Sequence, residues 1–560
     1  MERHFVTVGD RQVHYLRAGR GVPVVLLHAS PGDHRPLRRL AGELAAEFGV
    51  YALDTPGHGG SDRLPLTEPG MADYGAALGE TLTALGLERV HLYGTHTGAK
   101  IALAFAAAHP HRVASLMLDG LGVSTPEERA DQLAHYLPPV LPRGDGAHLV
   151  AAWHQVRNMF LFWPWYREEP GARLPAAMPS PGRLHEMTAG LLEAGEAYPL
   201  AYRAAFTCDP LPLLDRLAVP TLVLASPDDP LHAHLARLHT GARLRTGTAA
   251  GAPGARIRVE HLSPGAGPTQ VAARLRAHAA DRSAGLSPAP RPPEVPVTAR
   301  PARRYVPTRL GRTLIRWAAP PAGARPLVVL PPAPASGRAV ARLLDAVGTS
   351  RPVVAVDLPG TGDSELRAPL DPDADELAGA VADVLDALGT GAADLYGTGA
   401  GGVIAAALAR RHPARVHALA LAALPDPGSL SADLAARRTP ALTPDDHGTH
   451  LLRAWHLVRD GGLRATPPGA CDGPSRLDPA ELHRRVLDVV KAWSSYGSAF
   501  RAAVAGALAG PPGDPRIPVV AADPIWDPFL AGAQTAPASP GCDGRGGIDV
   551  LLSALDEVGN

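Results

Sequence analysis

Lysine is nearly missing from this chain: Lys100 and Lys491 are the only two, and the rest of the 54 basic residues are arginine, balanced by 55 acidic residues for a formal charge of -1. Without a surplus of positive charge there is no bulk electrostatic attraction for nucleic acid or for an anionic membrane. Small, roughly neutral molecules are the expected partners. Cysteine is as scarce. Cys208, Cys471 and Cys542 are odd in number and far apart, which argues against a disulfide framework or a zinc cluster and fits a reducing cytoplasm. No apolar run approaches the ~20 residues of a membrane helix, and Met1-Glu2-Arg3-His4 lacks the charged-then-apolar pattern of a signal peptide. A soluble, cytoplasmic protein is the expectation. Aromatics are few, 7 Trp, 11 Tyr and 8 Phe, and unevenly spread, with Trp153, Phe160, Phe162, Trp163, Trp165 and Tyr166 close together. The heavy use of Ala, Gly and Pro reads as a coding bias rather than as chemistry.

A chain of 560 residues is too long for one core. Phe5 to Val8 and Gln12 to Leu16 read as a hairpin around Gly9-Asp10, followed by the fully apolar Val22 to Leu27. Helical spacing over Leu37 to Phe48, a strand at Val50 to Leu53 and a helix over Tyr74 to Leu85 come next. Val90 to Tyr93 then enters Gly94-Thr95-His96-Thr97-Gly98, and an alanine-rich helix follows. Val113 to Leu118 is the next strand. Continuous apolar strands alternating with helices imply a mostly parallel sheet buried on both faces. From Thr125 to Phe206 the alternation stops and helical patterns take over, carrying the aromatic cluster. The sheet resumes at Pro220 to Ala225 with Asp228-Asp229 at its end, and closes with Ile257 to Leu262 and a helix over Thr269 to Ala280. Residues 283–302 are proline-rich and lack apolar periodicity, as a semi-stiff linker would.

Beyond the linker the first half returns. Leu53-Asp54-Thr55-Pro56-Gly57 matches Val356-Asp357-Leu358-Pro359-Gly360. Leu92 to Gly98 matches Leu395-Tyr396-Gly397-Thr398-Gly399-Ala400-Gly401. Ala152 to Arg157 matches Ala454 to Arg459, and Asp229-Pro230 matches Asp527-Pro528. Matches in one order along the chain predict a tandem duplication: a first domain over 1–282 with a cap at about 125–206, the linker at 283–302, and a degenerate copy over 303–560 with a cap at about 430–508.

On these motifs each half resembles an α/β-hydrolase with a helical cap, of the esterase, epoxide hydrolase and C-C hydrolase grouping. The resemblance implies that the residue at the tip of the strand-turn-helix elbow is the nucleophile slot, flanked by glycines that let strand and helix approach. Here that residue is His96. The resemblance also implies an oxyanion loop at His28-Ala29-Ser30-Pro31-Gly32, with the N–H groups of Ser30 and Thr97 as oxyanion donors, aided by the positive end of the helix that Thr97 opens. It places the acid at Asp229. The usual histidine slot is filled by Gly267-Pro268, and Pro268 has no proton to exchange. His261 is the nearest histidine to that slot. Ser-His-Asp hydrolysis is therefore not expected.

Three readings of His96 compete. An imidazole with an ordinary pKa of ~6.5 suits a general base or nucleophile, with Asp229 fixing its tautomer; Asp119, at the end of the next strand, is a second candidate acid. Alternatively His96, His28 and Asp229 ligate a metal, a reading that no short ligand motif supports. In the third, His96 fills a lost nucleophile slot in a ligand-binding or scaffolding pseudoenzyme; the strain of such an elbow speaks against that. His28, Trp153, His154, Phe160, Trp163 and Trp165 are candidate substrate contacts, although His154 recurs at His456 in a copy whose elbow residue, Gly399, cannot react. The second copy, with Pro331-Pro332 in place of His28-Ala29, reads as non-catalytic. Its Asp527 survives with nothing obvious to orient, and 532–547 is too broken by Gly and Pro to give a strand. The expectation is an enzyme of hydrolase or lyase type for a small, partly apolar molecule of specialised metabolism. No cofactor and no metal are implied, and the duplicated domain is a candidate for intrachain pairing.

Overall fold

The computed structural model describes residues 1–175, 177–241, 257–296, 298, 300–319, 325–422, 430–464, 478–508 and 519–521. They divide into two compact units, one of Met1–Leu141 with Ala151–Glu294 and one of Pro142–Val150 with the residues from Val295 onward. Asp527, its match to Asp229, and residues 532–547 lie outside the described residues. None of the described helices is long and apolar enough to cross a membrane.

The first unit is built on strands β1 (Glu2–Val8), β2 (Arg11–Ala18), β3 (Val22–Leu27), β4 (Phe48–Leu53), β5 (Val90–Thr95), β6 (Val113–Asp119), β7 (Thr221–Ala225) and β8 (Ile257–His261). Their order in the sheet is β1-β2-β4-β3-β5-β6-β7-β8. The hairpin β1-β2 is antiparallel and joins β4 antiparallel; from β4 to β8 every neighbour is parallel. Alternate side chains of the central strands point to opposite faces. Val25, Leu27, Tyr51 and Leu53 pack with the helices Met71–Ala84 and Thr97–Ala108. Val24, Leu26, Val50 and Ala52 pack with Arg38–Leu44 and Pro268–Ala279. Each fully buried Val or Leu contributes about 1.5–3 kcal/mol to holding the two layers on the sheet.

The first helix is shorter than its spacing predicts. It ends at Leu44, and Phe48 instead opens β4, because parallel pairing with β3 starts at Val22 opposite Phe48. Four helices, Pro126–His135, Ala147–Leu161, Pro181–Ala194 and Tyr198–Thr207, replace strands between β6 and β7. The proline-rich stretch is less free than its composition predicts. The Ala289 N–H donates to the Gly21 carbonyl (2.9 Å), and the Pro290 carbonyl accepts from Arg17 Nη2 (2.8 Å) and the Tyr51 hydroxyl (3.2 Å), tying it to the first unit.

The second unit repeats the plan with β9 (Ala302–Thr308), β10 (Gly311–Ala318), β11 (Leu327–Leu330), β12 (Val353–Val356), β13 (Ala393–Thr398), β14 (Val416–Ala422) and β15 (Val519–Ala521), in the order β15-β14-β13-β11-β12-β10-β9. Its elbow helix is Ala400–Arg411. The helices Ala432–Arg438, Thr449–Arg464, Pro479–Lys491 and Ser498–Leu508 lie where the repeat predicts a cap.

Candidate active site

β5 runs into the turn at His96, the residue that caps the helix Thr97–Ala108 at φ 51°, ψ -110°. Among the described residues it is the only non-glycine with positive φ, a conformation that costs on the order of 1–3 kcal/mol. Two glycines make the arrangement sterically feasible. A Cβ on Gly98 would stand 2.5 Å from the Leu27 carbonyl oxygen, so only glycine lets the helix meet the end of β3; one on Gly120 would stand 2.3 Å from His96 Cδ2 and 2.5 Å from Nε2. The backbone fixes the rest. The His96 N–H donates to the Asp119 carbonyl (2.9 Å), and the His96 carbonyl accepts from Ala99 N–H (3.1 Å) and Lys100 N–H (3.3 Å).

His96 Nε2 donates to Asp229 Oδ2 across 2.7 Å. Asp229 stands in the loop after β7, where its Oδ1 accepts the Leu231 N–H (2.7 Å). Asp228 is turned away to the Gly265 N–H. Asp119 ends β6, with Oδ2 accepting the Tyr93 hydroxyl (2.8 Å). Three parallel strand ends thus deliver one imidazole and two carboxylates to one place.

Burial works against protonating His96, but the Asp229 charge, its hydrogen bond and the nearby Asp119 outweigh burial and raise the imidazole to about 8. Burial and the Asp229 charge push Asp119 up to about 6, against the Tyr93 hydrogen bond. Burial would raise Asp229 too, yet the charge and hydrogen bond of His96 hold it below the ordinary carboxylate value.

The N–H groups of Ser30 and Thr97 donate to no described residue, which leaves them available to an oxyanion, with the first turn of the elbow helix behind Thr97. The Tyr202 hydroxyl, from the helix Tyr198–Thr207, donates to the Ser30 carbonyl (2.5 Å) and fixes that peptide from the cap side. Lys100, one turn into the elbow helix, is sealed in. Its Nζ donates to the carbonyls of Ala205 (2.7 Å) and Cys208 (3.0 Å), and burial lowers it to about 8.

The structure corrects several sequence expectations. His28 is 1% exposed, and both ring nitrogens are occupied: Nδ1 faces the Ala29 carbonyl (2.9 Å) and Nε2 accepts the Thr55 N–H (2.9 Å). It braces the oxyanion loop and has no atom left for substrate or for a metal shared with His96 and Asp229. His154 lies on the exposed side of its helix, 3.1 Å from Glu168 Oε1, outside any ligand wall. Trp153 is buried. Phe160, Trp163 and Trp165 are half-buried; the latter two lean on Tyr136, with centroids 5.9 and 6.0 Å away. His261 closes β8 and faces His232 (3.0 Å) at the surface, and Pro268 opens the last helix. Tyr93, Gly120 and Tyr202 escape the sequence reading. Of these only Tyr93 left a signal, its repetition at Tyr396.

The alpha/beta hydrolase fold family model matches residues 22–238 and 325–446, more than half of the chain. Curated relatives match shorter stretches. The 2-hydroxy-6-oxononadienedioate/2-hydroxy-6-oxononatrienedioate hydrolase 2 of Pseudomonas putida is 43% identical over 119 residues, 20% of this chain and 41% of the relative. The fluoroacetate dehalogenase of a Burkholderia species is 35% identical over 120 residues, 20% of this chain and 39% of the relative. The chain thus spans about two fifths of the length of these relatives. Among solved structures, epoxide hydrolase A from Mycobacterium thermoresistibile is 20% identical, with a TM-score of 0.39, covering 51% of this chain and 99% of that one. With the family model matching both units, the chain belongs to the alpha/beta hydrolase fold family.

Proposed function

We propose that the first unit is an enzyme of hydrolase or lyase type in which His96 is the base or nucleophile and Asp229 its orienting acid. The 2.7 Å contact between His96 Nε2 and Asp229 Oδ2 carries this reading. A carboxylate on Nε2 selects the tautomer with its proton there, which leaves the lone pair on Nδ1. No described residue hydrogen-bonds Nδ1, so that nitrogen is the one able to take a proton from water or substrate, or to attack an electrophilic carbon. A negative charge developing on substrate oxygen is met by the N–H groups of Ser30 and Thr97. In this reading the imidazole that the family carries after the last strand has moved to the elbow, which explains why Pro268 is tolerated. The two curated relatives named above are a hydrolase and a dehalogenase, in keeping with nucleophilic or base chemistry on a small molecule. The second unit is non-catalytic, since Gly399 offers no side chain and Ala422 accepts the Gly399 N–H where Asp119 accepts that of His96.

A second reading has one specific observation behind it. With its pKa at about 8, His96 is mainly imidazolium at neutral pH, and an imidazolium beside two backbone N–H groups would hold an anionic ligand without turning it over. The two readings separate on pH. Turnover by His96 rises as pH increases through about 8, whereas anion binding falls over the same range. Mass spectrometry of small molecules released from the purified protein identifies the compound class, and its turnover by wild type and His96→Gly is then followed from pH 6 to 10. Loss of an alkaline-rising rate in the variant is expected. An undiminished rate overturns the assignment of His96.

A further inference from the structure

The oxyanion loop ends on a cluster that the catalytic reading does not use. His14 on β2, His34 at the end of the loop and Asp54 just after β4 are all buried and bring one donor atom each within 4.8 Å of one another. His14 Nδ1 lies 2.8 Å from Asp54 Oδ2, and His34 Nδ1 lies 2.8 Å from Asp54 Oδ1. The ring centroids are 4.7 Å apart. Backbone holds the carboxylate independently of the imidazoles, with His34 N–H donating to Oδ1 (2.7 Å) and Gly60 N–H to Oδ2 (2.9 Å). A carboxylate oriented by backbone donors, its remaining lone pairs facing two imidazoles, is how outer contacts prepare a metal ligand.

The second unit shows what a carboxylate at this position calls for. Asp357 is the counterpart of Asp54: its N–H donates to the Leu314 carbonyl as that of Asp54 donates to His14. The Gly337 N–H takes the place of His34 N–H on Oδ1 (2.7 Å). The positive charge comes from Arg316, whose Nη1 lies 2.5 Å from Asp357 Oδ1. Arg316 occupies the strand position that Leu16 fills in the first unit, since Leu16 pairs with Ala52 and Arg316 with Ala355. Gly337 leaves room for it, a Cβ there standing 2.9 Å from the guanidinium. Asp54 is 0% exposed, and among the described residues neither arginine nor lysine hydrogen-bonds it; its donors are the two imidazoles and two backbone N–H groups. A buried carboxylate without a fixed cation is costly.

We propose that His14, His34 and Asp54 bind a divalent transition-metal ion of the Zn2+ or Co2+ kind, which supplies the charge that Arg316 supplies in the second unit. Two imidazole nitrogens and a carboxylate are a donor set those ions favour. On binding, each neutral imidazole shifts its ring proton from Nδ1 to Nε2. Both Nδ1 lone pairs and the carboxylate then face the ion, and no proton is released. Bond lengths of about 2.0–2.2 Å require each nitrogen and its oxygen to part by roughly half an ångström beyond their hydrogen-bonded distance, while both backbone bonds to Asp54 stay in place. Because His34 ends the loop that carries Ser30, the ion pins that loop.

The test uses the full chain freed of metal by chelation and titrated with Co2+ or Zn2+ alone. Wild type is expected to take up one equivalent more than His34→Gln, with visible Co2+ absorption bands and a Tm increase that the variant lacks. His96→Gly should keep that equivalent, which separates this site from the elbow. Should His34→Gln fail to fold, the double variant Leu16→Arg with His34→Gly rebuilds the second unit's ion pair and is expected to fold, lose the equivalent and show no Tm response. Equal uptake by wild type and either folded variant overturns the proposal, as does a wild type that takes up no metal.

Discussion

His96 and Gly399 occupy the same bend, at φ 51°, ψ -110° and φ 57°, ψ -125°, yet one carries an imidazole and the other no side chain. The backbone of the elbow is therefore kept where no nucleophile exists. Packing explains it: a Cβ on Gly401 would stand 2.2 Å from the Leu330 carbonyl, the same close approach that Gly98 makes to Leu27. The junction between oxyanion loop and cap helix is kept as well, with its charges redistributed. In the first unit the loop carries the acid, Asp33, and the cap helix presents Gly190, whose Cβ would lie 3.6 Å from Asp33 Oδ2. In the second the loop carries Ser336, whose N–H donates to Asp488 Oδ2 on the cap helix (3.0 Å). Arg35 bridges Asp33 (3.1 Å) and Glu193 (3.3 Å), whereas Arg338 meets Asp363 (3.1 Å), which also pairs with Lys491 (2.5 Å). The difference separates what both units keep, a tight bend and an ion-paired junction, from what only the first unit carries, an imidazole at the elbow with two acids beside it.

The largest expected effect makes the first elbow like the second. His96→Gly should remove turnover by at least about 10²-fold, the scale of a lost general base, without lowering Tm at pH 9, where the imidazolium pairing with Asp229 no longer contributes and glycine relieves the positive φ. A large Tm loss would instead make His96 a structural residue. Gly120→Ala comes next: the new methyl collides with the His96 ring and pushes it off Asp229, and a displacement of about 1 Å is worth up to roughly 10²-fold in rate. Unchanged kcat/KM in a folded Gly120→Ala protein would break the link between this contact and catalysis.

Asp229→Asn sharpens the electrostatics. With the carboxylate gone, burial governs His96, and NMR titration should find its pKa moved down from about 8 to below 6.5. The sign for stability follows. A folded-state pKa raised to about 8 stabilises fully below pH 6.5, and that contribution is lost as pH rises through 8. The Tm gap between wild type and Asp229→Asn should therefore be wider at pH 6 than at pH 9. The smallest effect is expected from Tyr93→Phe. Loss of its hydrogen bond should move Asp119 above about 6, visible in an NMR titration of the Asp119 carboxyl carbon, and an unmoved titration would show that the Tyr93 hydroxyl does not govern that acid.

Much of this was legible because short-range rules govern it. Glycine spacing marks the elbow, and an acid at the end of an apolar strand or in the loop that leaves it marks Asp119 and Asp229. What stayed hidden depends on distant partners. His28 reads as a ligand contact until the Thr55 N–H is seen to claim its free nitrogen. His154 sits at a helical spacing that leaves its side unknown. Residues 289 and 290 look like linker because composition says nothing about carbonyls that Arg17 and Tyr51 reach. The His14, His34 and Asp54 group unites three segments far apart in the chain, with no spacing to announce it.

The two lysines have a practical consequence. Lys100 is closed in by two carbonyls in the first unit and Lys491 is held against Asp363 in the second, so amine-reactive reagents find little to modify while both units are folded. Each unit carries one such side chain. Peptide-resolved labelling during a denaturant or temperature ramp would then report the opening of each unit separately, with no engineered tag.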